Sequence, residues 1–190
     1  LFGLTAGELS TNDLPTDQRM VTLKNIHLAD IAIYVATRYE TFTGGLVGSA
    51  QNGIYIDNCS VTGVMNVATS ESFARAGGLA ASVLRGAVTN SWTDVDITAA
   101  TDTNHVYAGG LYGMDNRATT VNCYALGSVT GNSTNNNKVH IGGLVGQAGG
   151  VHINCYAAGN VVSHKTTTDV GALNGRSAGI AVDYLSLIHI

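Results

Sequence analysis

Proline appears once in 190 residues, at Pro15, and charged side chains make up only 12% of the chain. Scarce charge beside 45% apolar residues excludes a disordered polymer, which shows the opposite balance. Nine Lys and Arg against 13 Asp and Glu, with no basic run, argue against a nucleic-acid partner, because phosphate binding needs clustered cations. No segment reaches the ~18 consecutive apolar residues of a spanning helix, so no membrane insertion is expected within this chain. Sustained apolar spacing at i, i+3, i+4 and i+7 is missing as well, and the best helical candidate is a short turn around Ser70–Arg75. Cysteine is scarce and odd in number: Cys59, Cys123 and Cys155, without any Cys-x-x-Cys pair that would suggest a metal.

Glycine, by contrast, is abundant at 24 residues, well above the usual ~7%. Much of it is periodic. Asn58, Asn90, Asn122 and Asn154 recur every 32 residues, each after a short β-branched run. Gly-Gly-Leu keeps the same beat at Gly44–Leu46, Gly77–Leu79, Gly109–Leu111 and Gly142–Leu144, with Gly171-Ala172-Leu173 as a weaker copy. Two landmarks in step mean one structural unit copied several times, each burying its apolar face against its neighbours. Units begin at residues 21, 44, 77, 109, 142 and 171, giving about five to six repeats over 21–184.

The period alone is close to that of helical repeats, but Gly, Val, Thr and Asn disfavour helix. Short β-branched stretches bounded by Gly, Asn, Ser and Thr read as strands. These features predict an all-β fold: a right-handed parallel β-helix (β-solenoid), one ~32-residue repeat per coil, three short strands per coil. The Leu column should stack inside, beside glycines that allow positive φ or close backbone approach. The Asn column should take left-handed geometry at a bend and bond coil to coil, although Asp183 departs from it. Polar segments around Thr98–Val106, Thr130–His140 and Ser163–Asp169 should protrude as loops. Leu1–Met20 reads as a loop or the remnant of a preceding unit. Leu185–Ile190 matches the translation of a common sequencing adapter and is set aside as an artefact, so the chain is expected to be a fragment. No signal peptide is visible.

Gly-Gly-Leu-Val-Gly at 44–48 and 142–146, Gly-Gly-Leu-Tyr-Gly at 109–113, and Asn-Cys-Tyr at 122–124 and 154–156 resemble the GLUG repeat. The resemblance runs from about Val21 to Tyr184, with departures at Ala80-Ala81 and Asn174. It implies a large bacterial cell-surface or secreted protein, adhesin-like, or the non-catalytic part of an immunoglobulin A peptidase. It therefore also implies an extracellular or cell-surface location. No catalytic residue is carried over, and the peptidases' His-Glu-x-x-His is not in this sequence.

Candidate chemistry is sparse, and no enzymatic activity, catalytic residue, cofactor or metal is assigned. The six histidines (His27, His105, His140, His152, His164 and His189) form no repeated column and are expected on the surface or along strands. Asp94 and Asp96 should share one outer strand face, as a carboxylate pair in a carbohydrate-active enzyme would. Gly109–Asp115 has some likeness to a calcium-binding nonapeptide, but does not repeat. The sequons at Asn58 and Asn132 read as accidental. Cys59, Cys123 and Cys155 should pack as a small apolar ladder; Cys123 and Cys155 are adjacent in it, with parallel Cβ bonds that suit a disulfide poorly. Trp92, Tyr124 and Tyr156 form an aromatic column whose direction cannot be read across a bend. Outward, it could stack on sugar rings or a peptide; inward, it would hold coils together. The expected role is a stalk or display region whose partners are its neighbouring repeats and a host or matrix protein or glycan. A carbohydrate-active fragment and a self-associating segment are the alternatives.

Overall fold

The computed structural model describes residues 2–5, 21–51, 53–134, 139–164, 168–171, 174–177 and 182–184, with side chains between 21 and 164. Leu173, Leu185–Ile190 and most of Leu1–Met20 therefore lie outside the described residues, as does the side chain of Asp183. The chain winds as a parallel β-solenoid, all-β as the repeat predicts. One coil runs Thr41–Gly44, Val47–Ala50, Ile54–Asp57 and Ser60–Thr69, which contribute to a first, second, third and fourth sheet in that order. The next coil repeats the path as Ala74–Gly77, Ala80–Val83, Gly86–Thr89 and Trp92–Thr101. Register between coils is the repeat itself: Gly44 faces Gly77, Asp57 faces Thr89, and Ser60 faces Trp92. Before the first full coil, Phe2–Thr5 pairs with Val47–Ala50, and Val21–Lys24 with Ile54–Asp57.

Each coil carries four strands where three were expected. Gly-Gly-Leu is a corner between two strands and not the middle of one. At this corner the backbone bonds straight along the stack: the Leu79 amide donates to the Leu111 carbonyl at 3.0 Å, and the Leu111 amide to that of Leu144 at 2.8 Å. The corner glycines are needed for space, since none of them has positive φ. A Cβ on Gly78 or Gly110 would fall on the carbonyl of Gly110 or Gly143 in the adjacent coil. Only glycine lets the coils approach this closely.

The Asn corner obeys the opposite rule. Asn25, Asn58, Asn90, Asn122 and Asn154 all sit between φ 50° and 56°, the left-handed conformation that Asn tolerates. Their amides form the expected ladder: Asn154 donates to Asn122 at 2.7 Å, Asn122 to Asn90 at 3.2 Å, and Asn58 to Asn25 at 2.8 Å. One rung differs. Asn90 donates to the Asp57 carboxylate at 2.9 Å, which also accepts from the Thr89 hydroxyl at 2.8 Å.

Inside the tube, Leu46, Leu79, Leu111 and Leu144 are wholly buried, with Met65, Ile97 and Val129 stacked behind the fourth sheet. Burying one such side chain contributes ~1.5–3 kcal/mol, and every coil repeats the gain. No helix occurs among the described residues; the candidate turn at 70–75 is a bend leading into strand Ala74–Gly77. The fourth sheet is longer than expected, with His27–Thr37, Ser60–Thr69 and Trp92–Thr101 at 11, 10 and 10 residues. Thr98–Thr101 is therefore strand and not loop. One coil later this wall breaks into Tyr124–Ala125 and Val129–Ser133, where the Asp96 carboxylate accepts the Ser128 amide at 2.9 Å in place of a ladder bond.

Candidate interaction surface

The outer wall of the fourth sheet is where chemistry-bearing side chains gather. Alternation along Trp92–Thr101 buries Thr93, Val95, Ile97 and Ala99 and turns Trp92, Asp94, Asp96 and Thr98 outward. Register places Trp92, Tyr124 and Tyr156 in one outward column, with the buried Ser60 at its head. Trp92 stacks on Tyr124 with ring centroids 5.7 Å apart and 4° between planes, and Tyr124 on Tyr156 at 5.0 Å and 7°. The column is thus both outward and a ring stack joining coils. This overturns one expectation. Tyr124 has both ring faces covered by neighbours, so a sugar ring cannot stack on it; the column offers ring edges and hydroxyls. Covering by its neighbours also raises the Tyr124 phenol above its ordinary pKa, burial first and the Tyr156 hydroxyl second.

Asp94 and Asp96 do share the outer face, as the alternation required, and both are exposed. They are engaged differently, however. Asp96 caps the break in the next coil through Ser128, whereas Asp94 lies in register with Thr62. Beside them, Val64, Leu126, Tyr156 and Val162 are exposed apolar side chains of the same wall, at 37%, 37%, 45% and 42%. Strands of ten residues at ~3.3 Å each make this a face roughly 30 Å wide. Its far end dips into a shallow groove of about 320 Å³ lined by Tyr34, Ala36, Asn66, Ala68, Thr98 and Ala100.

A second cluster, on the first sheet, was not visible in the sequence. Phe42, Arg75, Tyr107 and His140 occupy one register column. The Arg75 guanidinium lies 4.7 Å from the Phe42 ring centroid, 5.0 Å from Phe73 and 5.4 Å from Tyr107, and pairs with Glu40. Partial burial lowers the pKa of Arg75 without neutralising it. His105 stacks on His140 at 5.7 Å, and Tyr107 on His140 at 5.0 Å. His105 enters from the turn, off the strand column, so no periodicity in the sequence announced the meeting. His140 and His152 are strand residues and are buried.

The third group lies inside the tube. Asp115, candidate end of a calcium loop, points inward instead. Its carboxylate accepts the amides of Gly149 at 2.6 Å and Gly150 at 3.2 Å and meets His152 Nε2 at 2.9 Å. Those contacts occupy both oxygens and leave the calcium reading without a ligand. Cys59, Cys123 and Cys155 are buried free thiols of one column, as expected, with Ser91 as its remaining member. The Cys59 and Cys123 thiols donate to carbonyls, among them Asp57 at 3.4 Å and Val121 at 3.3 Å. Among the described residues no cluster of three metal-ligating side chains occurs.

Residues 137–162 match the family model of the GLUG motif. No curated protein and no solved structure matches the chain. The matched stretch spans the Gly142–Leu144 corner, the Asn154 bend and the start of the fourth-sheet wall at Tyr156, that is, nearly one coil.

Proposed function

We propose that this GLUG-motif solenoid is a non-enzymatic stalk or display region of a bacterial cell-surface or secreted protein, adhesin-like in role and extracellular in location. The observation that carries the reading is the outer wall of the fourth sheet. It is broad, built on a rigid stack, and presents ring edges, exposed aliphatics and two carboxylates on one face. An extended face of this kind suits a host or matrix protein or a glycan running along it, contacted through many weak, repeated interactions. Several apolar side chains exposed together on one wall support contact with a partner. The family resemblance supports the same setting.

The test is binding of the purified chain to arrayed glycans, mucin and matrix proteins, beside variants Leu126→Glu and Tyr156→Glu. Both side chains are exposed, so the fold should persist while binding through this wall falls at least tenfold. Binding that survives both substitutions would move the contact to another face. A blank against every probe would reduce the role to spacing alone.

A further inference from the structure

We propose that Cys155 and Cys123 are a hydroperoxide-oxidisable pair that closes a reversible disulfide between successive coils. The repeat sets the geometry. Tyr124 and Tyr156, the residues immediately after them, are direct register partners, and the Tyr156 amide donates to the Cys123 carbonyl at 3.2 Å. Asn122 and Asn154, immediately before, are joined at 2.7 Å. Both cysteines are therefore held rung above rung at the ~4.8 Å spacing of neighbouring strands, inside the Cα range of ~4.4–6.8 Å that a disulfide bridges. Each thiol donates to the carbonyl two residues before it, Cys123 to Val121 and Cys155 to Ile153, both at 3.3 Å, so the two sulfurs take the same place on successive rungs. Cys59 lacks this arrangement, because Ser91 occupies the rung beside it and its hydroxyl accepts the Cys59 amide at 3.0 Å.

The surroundings make the two sulfurs unequal. Cys155 reaches the surface, at 4% exposure against 0% for Cys123. The neighbouring Cys123 thiol, with a smaller contribution from His152, brings the Cys155 pKa to about 7, while Cys155 and burial push that of Cys123 up. His152 is fixed by Asp115, whose carboxylate is itself held by two backbone amides. Cys155 is thus the sulfur that reacts and Cys123 the one that resolves. The Cys155 thiolate attacks one oxygen of hydrogen peroxide; the O–O bond breaks, and hydroxide leaves and takes up a proton as water. Sulfur is oxidised to the sulfenic acid. The Cys123 sulfur then attacks that of Cys155; the S–O bond breaks, and the departing hydroxide takes the Cys123 proton as a second water. Two thiols and one peroxide give one disulfide and two waters.

Burial selects the oxidant. Cys123 is 0% and Cys155 4% exposed, so bulky disulfides are excluded and Cys155 is the sulfur that a small hydroperoxide meets first. Stacked Cβ atoms point the same way, so one side chain must rotate to close the bond. A bond so strained is readily reduced, which makes the pair reversible and not a permanent staple.

The test treats the intact chain with hydrogen peroxide and maps peptides without reduction. The expected product has lost two hydrogens in mass, carries a Cys123–Cys155 bridge within one chain, leaves Cys59 reduced, and reverts with dithiothreitol. In Cys123→Ser, a dimedone-reactive sulfenic acid should accumulate on Cys155. That variant should fold, because Ser91 already occupies the same column one coil away. Reaction of Cys59 at the same rate as Cys155 would overturn the proposal, as would folded wild-type protein that shows no bridge after oxidation.

Discussion

Asn122 combines two demands that no other residue type meets together: φ of 55°, and an amide that donates to Asn90 while accepting from Asn154. The left-handed conformation costs an ordinary L-residue roughly 1–2 kcal/mol, and each exposed hydrogen bond contributes about 0.5–1 kcal/mol. Asn122→Ala should therefore destabilise by about 2 kcal/mol, and Asn122→Gly, which keeps the backbone but not the ladder, by about 1 kcal/mol. Denaturant midpoints check the order, and equal losses would remove the backbone argument. Asp57 gives a pH test at the interrupted rung. The Thr89 hydroxyl and then the Asn90 amide lower its pKa below the ordinary 3.8. Its stabilising share is thus complete above that value and is lost as pH falls through the lower, folded pKa. Asp57→Asn should flatten this part of the acid limb in stability measured from about pH 5 to about pH 2, with no change in the limb above it.

Corners and walls were unequally legible at the level of whole elements. The Leu and Asn columns repeat with a fixed period, so their roles as buried stack and bend were readable from position alone. Gly-Gly-Leu as a corner was not, because its flanking strands, Val47–Ala50 and Ala80–Val83, are rich in small residues and carry little β-branched signal. The direction of the Trp92 column was hidden for a different reason: alternation cannot be counted across a residue in left-handed geometry. Arg75 and His140 escaped notice because register, not composition, brings them beside Phe42 and Tyr107. The corner makes a sharp prediction. A Cβ on Gly110 would meet both the Gly143 carbonyl and the Ala125 side chain. Both belong to the packed stack and cannot swing away. Gly110→Ala should cost more than about 2 kcal/mol in urea unfolding, against less than about 0.5 kcal/mol for Thr119→Ala on the exposed side of the third sheet. A Gly110→Ala protein as stable as the parent would mean that the coils are not packed at this spacing.

For the molecule as a whole, stability is a chain of nearest-neighbour terms, because each coil touches only the coils on either side. Leu111 sits at 0% exposure between Leu79 and Leu144, and its corner bonds to Leu144 directly. A carboxylate placed there has neither water nor a cation beside it, and such a buried charge costs several kcal/mol even after its pKa rises to neutralise it. In a globular domain that loss would be shared by one core and would lower a single transition. In a solenoid it falls on two interfaces, those above and below the third coil, and uncouples the coils on either side. Leu111→Asp should therefore replace one cooperative unfolding transition with broad, probe-dependent melting. Amide exchange should accelerate first around Val106–Val121 and only afterwards in Ser60–Thr69. A single sharp transition, merely shifted to lower denaturant, would show that the coils communicate through something other than adjacent packing, and the outer wall of the fourth sheet would then not inherit its rigidity from the repeat.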